Sequence, residues 1–302
     1  MDSAIVEEMK TVHEPVMLKE VVEFLQLRPG MRVLDGTVGA GGHAKEILQK
    51  IGPEGVFVGI DQDPNILEIT RENLGETSGL HLVHENFCHA DRVLQQLGIE
   101  AVDACLLDLG VSSFQLEAAE RGFSFQQEGL LDMRMDPTAT VSAFDLVNHL
   151  SEWEIVSILH RLGQERYARR IAHFLIQTRQ KEPIRTTKQL ANIVERAIPY
   201  HGWSRIHPAT RTFQAFRMTV NRELESLEEA LPGIIRVLKP GGRICVLSFH
   251  SLEDRVVKLF FRRLAAEQQL KLVTKKPFTP SPVEIHQNPR SRSAKLRAAE
   301  KC

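Results

Sequence analysis

Residues whose types suit cofactor chemistry cluster between Asp35 and His43. Four glycines occupy the seven positions Gly36–Gly42, after an apolar run that predicts a strand and before a periodicity that predicts a helix. Glycine permits backbone conformations and close approaches that other residues do not. A glycine-rich turn of this kind brings backbone N–H groups and the positive end of a helix dipole against a ligand. The segment therefore predicts a site for a nucleotide-like cofactor.

Two polar residues beside the glycines help to choose the cofactor. The spacing Gly39-x-Gly41-x-x-Ala44 also fits the dinucleotide pattern, so a nicotinamide-dependent oxidoreductase stays open as an alternative. Asp35, however, would place a negative charge where a pyrophosphate binds, whereas it attracts a sulfonium or an ammonium group. We therefore favour S-adenosylmethionine as the cofactor.

Two more acids end apolar runs that predict strands. Asp61 ends the run 56–61, about twenty residues after the glycines, where an acid meets ribose hydroxyls in dinucleotide folds. Asp108 lies near the end of the run 102–109, beside the first strand in a doubly wound sheet. Phe87 follows the predicted strand 80–84, and both adenine packing and ordinary core packing suit it. Ligands bind at the carboxyl ends of such strands, so these residues are expected at one site.

The order of predicted elements gives the fold class and the domains. Predicted strands at 32–34, 56–61, 80–84 and 102–109 alternate with helices, which indicates an α/β protein with a Rossmann-like doubly wound sheet. Helices without strands then follow, as a predicted helical insertion over residues 113–210. A helical region over 207–238, a strand at 243–249 and two candidate strands at 270–275 and 293–299 resume the sheet pattern. We therefore assign residues 1–112 and 211–302 to the sheet domain.

The charge of the 302-residue chain is unevenly distributed. The net charge is −1, yet residues 155–222 contain 13 Lys/Arg and 3 Asp/Glu, and residues 251–302 contain 12 and 5. Two basic regions in a chain that is otherwise acidic indicate a surface for a polyanion such as RNA. The polar face of a predicted helix over 165–180 is the first candidate, with Arg166, Arg169, Arg170 and Arg179. A non-catalytic RNA-binding or assembly factor would have the same surface, so this alternative also stays open.

The cysteines and histidines do not predict a metal centre. The four cysteines have no Cys-x-x-Cys spacing, and Cys105 and Cys245 lie in apolar strand patterns that indicate core positions. His81 and His84 face opposite sides of a predicted strand, so we expect no zinc site with the nearby Cys88 and His89. We also find no signal peptide and no long apolar run, and we expect a reduced, cytoplasmic protein.

Eight segments, spread over nearly the whole chain, resemble those of a known family. They are His13–Met17, Asp35–His43, Asp108–Ser113, Arg121–Phe125, Leu131–Asp136, His207–Gln214, Ser248–Arg255 and Asn288–Arg292. With them, the chain resembles the bacterial 16S ribosomal RNA cytosine-N4 methyltransferases, the MraW family. These segments are far more specific than the glycine pattern alone.

The resemblance implies a fold, an activity and a set of site residues. The fold is the class I S-adenosylmethionine-dependent methyltransferase fold with a helical insertion that recognises RNA. The substrate is a cytosine in the decoding region of 16S ribosomal RNA in the small subunit. The implied cofactor contacts are Gly41, Gly42, His43, Asp61, Phe87, Asp108 and Gln115, with Asp108 also the candidate catalytic residue. Many amino methyltransferases have Pro-Pro-aromatic after this acid, whereas Leu109-Gly110-Val111 follows here. The residue that stacks on the target cytosine is therefore not identified.

Overall fold

The computed structural model describes residues 15–199 and 207–302, which form two compact units. One unit consists of the described residues up to Gly110 together with Leu224–Cys302, and the other of those in Val111–Glu223. His13 and Glu14, which begin the first family segment, lie outside the described residues. None of the helices in the described ranges has the length and apolar content needed to cross a membrane.

Within the described residues, the first unit contains a seven-stranded sheet. Its strands are β1 (Arg32–Asp35), β2 (Val56–Asp61), β3 (Leu80–His84), β4 (Val102–Asp108), β5 (Leu238–Ser248), β6 (Leu270–Leu272) and β7 (Lys295–Lys301). They lie in the order β3-β2-β1-β4-β5-β7-β6. β1 to β5 are parallel, and β7 is antiparallel to both β5 and β6. The first four strands confirm the predicted ranges to within one residue.

Helices cover the sheet on both faces. Those of this unit are α1 (Leu18–Leu25), α2 (Gly42–Ile51), α3 (Pro64–Leu74), α4 (Ala90–Gln96), α11 (Glu223–Val237), α12 (Ser251–Ala266) and α13 (Pro282–Gln287). Successive residues of β4 enter different cores, since Cys105 and Leu107 belong to one buried cluster and Ala104 and Leu106 to another. A parallel sheet buried on both faces explains the continuous apolar runs in the sequence.

The elements after β4 differ from their predicted extents, and the candidate strands 270–275 and 293–299 are observed as β6 and β7. β5 begins at Leu238 rather than Arg243, because Val102 pairs with Leu238 and Ala104 with Arg243, leaving 239–242 as a bulge. The predicted helical region over 207–238 is divided into α10 (Thr210–Val220) and α11. At the break, Asn221 accepts a hydrogen bond from the backbone N–H of Met135 at 2.7 Å. α10 therefore ends beside Asn221, whose side chain holds the loop that contains Met135.

The second unit is built from α5 (Ser113–Glu117), α6 (Ala143–His149), α7 (Glu152–Arg161), α8 (Ala168–Arg179), α9 (Thr187–Ala197) and α10. Capping boxes begin two of these helices, α7 with Ser151 and Glu154 and α9 with Thr186 and Gln189. This unit ends at Glu223, beyond the predicted bound at residue 210. The reason is that Phe213 and Phe216 of α10 are buried in the core of this unit.

Two family segments of the second unit have structural roles. The Arg121 guanidinium donates to the backbone carbonyls of Arg134 and Met135, both at 2.9 Å. Arg134 in turn makes a two-pronged contact with Asp132, with both N–O distances at 2.7 Å. Gly122 has a φ of +71°, and a side chain there would overlap the Leu130 carbonyl. These residues therefore order the long irregular stretch between α5 and α6.

Arg179 differs from the three other arginines predicted to contact phosphate. Its guanidinium donates to the carbonyls of Val147 at 2.7 Å and Leu150 at 2.6 Å, at the carboxyl end of α6. A cation at this end of a helix satisfies carbonyl groups that have no partner within the helix. Arg179 is therefore used within this unit, and the prediction of a phosphate contact is better suited to the other three arginines. Arg166, by contrast, lies just before α8, and Arg169 and Arg170 are exposed in its first turn.

We expect Arg179→Ala to lower the free energy of unfolding by about 1.5–3 kcal/mol, because two carbonyls lose a charged donor. Urea denaturation followed by circular dichroism measures this change. Arg169→Ala is the matched control, since it removes an exposed arginine from the same helix and should change stability by less than about 0.5 kcal/mol. Similar losses in both variants would contradict the structural role of Arg179.

Candidate active site

Three aspartates lie at the carboxyl edge of three neighbouring strands. Asp35 ends β1, Asp61 ends β2 and Asp108 ends β4, and β1 lies between the other two in the sheet. The glycine-rich segment begins directly after Asp35 and leads into α2. Because parallel strands place their carboxyl ends at the same edge, the sheet brings these acids and the glycines together.

The glycines combine a left-handed backbone conformation with close neighbours. Gly41 precedes α2 with a φ of +87°, which a residue with a Cβ rarely adopts. A Cβ on Gly36 would lie 2.5 Å from Cδ2 of Leu107, and one on Gly42 would lie 3.3 Å from Pro15. The segment therefore passes close to β4 and exposes backbone at the start of α2, where N–H groups have no partners within the helix.

Asp61 holds the glycine segment in place. Its Oδ2 accepts the backbone N–H of Gly39 at 3.0 Å, and its Oδ1 accepts that of Asp63 at 2.9 Å. Each carboxylate oxygen keeps a further lone pair for a ligand hydroxyl. Burial raises the pKa of Asp61 to about 6, and the nearby charge of Asp63 adds to this effect. Asp61 thus has a loop-holding role that the sequence did not predict.

Two residues of α3 also hold the segment, and sequence reasoning missed both. The Thr70 hydroxyl donates to the Gly39 carbonyl. The Asn73 amide donates to the Ala40 carbonyl at 2.9 Å. The available signal was their spacing of three residues, which places them on one face of the helix that follows Asp61.

Asp35 is buried behind the glycine segment rather than facing a ligand. It is 1% exposed, and its Oδ1 accepts the Thr37 backbone N–H at 3.0 Å. Desolvation by this burial raises the pKa of Asp35 to about 7, with a smaller contribution from the charge of Asp61. Asp35 can therefore attract a cationic cofactor only through its charge at a distance, and we expect no direct contact between the two.

Asp108 is linked to both neighbouring elements. Its backbone N–H donates to Oγ1 of Thr37 at 2.6 Å, and its Oδ2 lies 3.5 Å from Nδ1 of His43 in α2. Burial, together with the charges of Asp35 and Glu253, raises the pKa of Asp108 well above its usual value. Its Oδ1 is buried and has no hydrogen-bond partner among the described residues, although 24% of the side chain stays exposed.

The hydrogen bonds of His43 indicate where a proton is held. Its Nε2 lies 3.0 Å from the carbonyl oxygen of Val16, which can only accept, so this nitrogen has a proton. Nδ1 faces Asp108, and a close contact between two acceptors would be repulsive. The favourable states are an imidazolium beside a carboxylate or a neutral imidazole beside a protonated Asp108. The pair therefore holds one proton between Nδ1 and Oδ2.

The two remaining predicted contacts, Phe87 and Gln115, lie in different units. Phe87 follows β3, is 9% exposed and packs in the core, with its Cβ beside Gly36. Gln115 is a buried residue of the second unit, and its Oε1 accepts the Ser112 backbone N–H at 3.1 Å in a capping box. Their cofactor contacts stay predictions.

The site residues fit an adenosyl cofactor with a positive centre. The start of α2 offers backbone N–H groups with no side-chain cap, Asp61 offers lone pairs to ribose hydroxyls, and the buried Oδ1 of Asp108 lacks a partner among the described residues. Three neighbouring acids favour a cationic ligand over a pyrophosphate. Together with the strand order, these features define the class I S-adenosylmethionine-dependent methyltransferase fold.

Comparison with known proteins gives the family. The model of the MraW methylase family matches residues 10–302, and the chain belongs to this family. The chain is 49% identical over 308 aligned positions to ribosomal RNA small subunit methyltransferase H of Geobacter sulfurreducens, covering 96% of this chain and 98% of that protein. It is 45% identical to the protein of the same name from Halothermothrix orenii, with the same coverage. A solved rRNA methylase structure from Streptococcus thermophilus aligns over 94% of this chain and 91% of its own, at 11% identity and a TM-score of 0.42.

The raised pKa of Asp35 predicts how stability depends on pH. The folded state holds the Asp35 proton more tightly than the unfolded state, so this stabilisation is complete below about pH 4 and is lost as pH rises through 7. We expect a loss of about 1.4 kcal/mol per pH unit between pH 5 and 7 from this group. Asp35→Asn, which mimics the protonated form, should remove that part of the slope in urea denaturation.

Glu72→Gln is the control for this comparison, because Glu72 is an exposed acid of α3. Its stability curve should follow that of the unmodified protein. Parallel curves for Asp35→Asn and the unmodified protein would contradict a raised pKa at Asp35.

Proposed function

We propose that this chain transfers the methyl group of S-adenosylmethionine to N4 of a cytosine in the decoding region of 16S ribosomal RNA. Membership of the MraW family supports the reaction, and the names of the relatives support small-subunit ribosomal RNA as the substrate. The observation on which the proposal depends is the placement of the glycine segment, Asp61 and Asp108 at one edge of the sheet. An activity of this kind is expected in the cytoplasm.

Five parts of the chain would hold the cofactor. Backbone groups of Gly41, Gly42 and His43 suit the amino acid part, because they lie at the start of α2. The Asp61 carboxylate suits the ribose hydroxyls, and Phe87 suits the adenine ring. Asp108 and Gln115 complete the set that the family resemblance implies.

The exocyclic amine of cytosine is a poor nucleophile, since its lone pair is delocalised into the ring. When bound, S-adenosylmethionine supplies a methyl group on a sulfonium that such a nitrogen can attack in line. The chain has to align the nitrogen, and alignment of two bound reactants contributes roughly 7–11 kcal/mol. It also has to accept an amine N–H. Asp108 could accept this N–H through its Oδ1 once that oxygen becomes accessible. Its other oxygen, Oδ2, already shares a proton with His43.

The second unit is proposed as the RNA-recognition domain. Residues 155–222 include 13 Lys/Arg against 3 Asp/Glu, and phosphate contacts dominate the affinity of proteins for nucleic acids. The target cytosine also has to leave its stack before reaction, which costs least in single-stranded RNA. A basic unit that binds the RNA on either side of the target cytosine supplies binding energy for this unstacking.

The direct test incubates the protein with labelled S-adenosylmethionine and small ribosomal subunits that lack the modification, followed by nucleoside mass spectrometry. We expect N4-methylcytidine in the 16S RNA. Stabilisation by NAD and not by S-adenosylmethionine in a thermal-shift assay would instead support an oxidoreductase. Tight RNA binding without any methyl transfer would support an assembly factor.

We expect Asp61→Ala to weaken S-adenosylmethionine binding roughly 10- to 150-fold, since charge-assisted hydrogen bonds are worth about 1.5–3 kcal/mol. Isothermal titration calorimetry measures the affinity. Because Asp61 also holds Gly39, Asn73→Ala serves as the control, removing a bond to the same loop at Ala40 without touching the ribose position. Equal losses in the two variants would restrict Asp61 to the loop-holding role.

Asp108 has two competing roles, cofactor binding and polarisation of the cytosine amine. We favour the cofactor role, because no Pro-Pro-aromatic follows Asp108 to fix a target base. Asp108→Asn should then weaken S-adenosylmethionine binding about 10-fold and keep most of its single-turnover rate at saturating cofactor. Glu100→Gln, an exposed change just before β4, is the charge-matched control. A large rate loss at saturation with an unchanged dissociation constant would instead assign Asp108 to the amine.

A further inference from the structure

A cleft in the second unit lies between α7 and the start of α8. Its volume is about 710 Å³, within the roughly 300–1,000 Å³ of typical small-ligand sites. The lining includes two large aromatic residues, Trp153 and Tyr167, and several basic ones, with no aspartate or glutamate among them. The residues that matter here are Trp153, His160, Arg161, Arg166, Arg169 and Arg170.

The arginines of this cleft are available for a ligand. All four are exposed, and none makes an ion pair among the described residues. Only Arg166 has a described contact, with its Cζ 5.7 Å from the centroid of the Tyr167 ring. Arg179 of the same helix is instead bound to two backbone carbonyls. The cleft therefore concentrates positive charge that the fold does not use.

The acids nearest in sequence already have partners. Glu152 lies 3.7 Å from Nδ1 of His173, and Glu154 caps α7 through Ser151. Glu165 is 4% exposed and accepts the Tyr167 backbone N–H at 2.9 Å. These acids thus do little to neutralise the arginines of the cleft, and the remaining positive charge favours a polyanionic ligand.

Trp153 gives the cleft a second property. It is 77% exposed, although a tryptophan is usually well buried. An exposed aromatic surface beside unpaired arginines suits stacking on a nucleobase, and such stacking occurs where proteins bind single strands. Acidic peptides would use the arginines but would leave the indole face without a stacking partner.

We propose that this cleft binds an unpaired segment of RNA. Trp153 stacks on one base, and Arg161, Arg166, Arg169 and Arg170 contact the flanking phosphates. This inference rests on the proposed function for the identity of the polyanion as ribosomal RNA. The lining offers no carboxylate and no glycine segment, so the cleft binds RNA and takes no part in methyl transfer.

The fluorescence of Trp153 gives a direct test. The chain has two tryptophans, so Trp203→Phe leaves Trp153 as the only reporter. The probe is a 12-nucleotide single-stranded RNA with decoding-region sequence, compared with the same RNA annealed to its complement. We expect the single strand to quench the indole emission and the duplex to quench it much less. Equal quenching by both, or none by either, would overturn the stacking.

Affinity measurements test the two kinds of contact separately. By fluorescence anisotropy, Trp153→Ala should weaken binding of the single strand roughly 5- to 150-fold, and Trp153→Phe should recover most of the loss. Arg169→Gln should reduce the slope of log affinity against log salt by about 0.7. Arg196→Gln is the matched control, since Arg196 is an exposed arginine of α9 outside the cleft. Equal effects of Arg169→Gln and Arg196→Gln would indicate diffuse attraction and overturn the proposed cleft.

Methyl transfer separates this inference from the proposed function. In the subunit assay, Trp153→Ala should raise KM for the subunit while kcat and the dissociation constant of S-adenosylmethionine stay unchanged. A protein that methylates its subunit with the same KM and RNA affinity after Trp153→Ala would overturn the cleft and leave the proposed function intact. Quenching by single-stranded RNA in a protein that transfers no methyl group would contradict the proposed function and support the cleft.

Discussion

The hydrogen bond from Gly39 to the Asp61 carboxylate is the contact on which the site depends. It ties the glycine segment that follows β1 to the end of β2, and the residues of α3 that follow Asp61 hold the next two carbonyls. The start of α2 is thereby held against the sheet edge. A loop with four glycines would otherwise lose much entropy on ordering, and a buried acid is costly without donors. The hydrogen bond offsets both costs, because Asp61 orders the loop and the loop gives Asp61 a donor.

The clustering of acids at this edge also has an electrostatic consequence. Asp35, Asp61 and Asp108 all have raised pKa values, because burial and, to a smaller extent, the charges of neighbouring acids disfavour the ionised forms. A cationic ligand would favour ionisation, and an anionic one would oppose it. The same backbone pattern that serves dinucleotides in other proteins is thus biased here toward a sulfonium, by side chains rather than by the glycines.

The sequence predicted the first four strands and the edge of the sheet well, because buried parallel strands are short apolar runs that end in polar residues. It predicted the site acids for the same reason. It did not predict which acid is buried, since Asp35 and Asp61 occupy equivalent positions and differ only in what covers them. Nor could helical spacing separate Arg179 from Arg169, because the carbonyls that bind Arg179 come from α6. The sequence also did not show that α10 belongs to the second unit, because this depends on the long-range packing of Phe213 and Phe216.

The link between Thr37, Asp108 and His43 orients the Asp108 carboxyl group before any substrate arrives. Thr37 accepts the backbone N–H of Asp108, which orients the end of β4, and the Val16 carbonyl fixes the proton on Nε2 of His43. Loss of the proton shared by Nδ1 of His43 and Oδ2 of Asp108 would leave two acceptors facing each other at 3.5 Å. Oδ1 is consequently the part of Asp108 that can respond to a ligand. This holds whether the ligand is the cofactor or the cytosine amine, because Oδ2 already shares a proton with His43 and only Oδ1 can accept a new hydrogen bond.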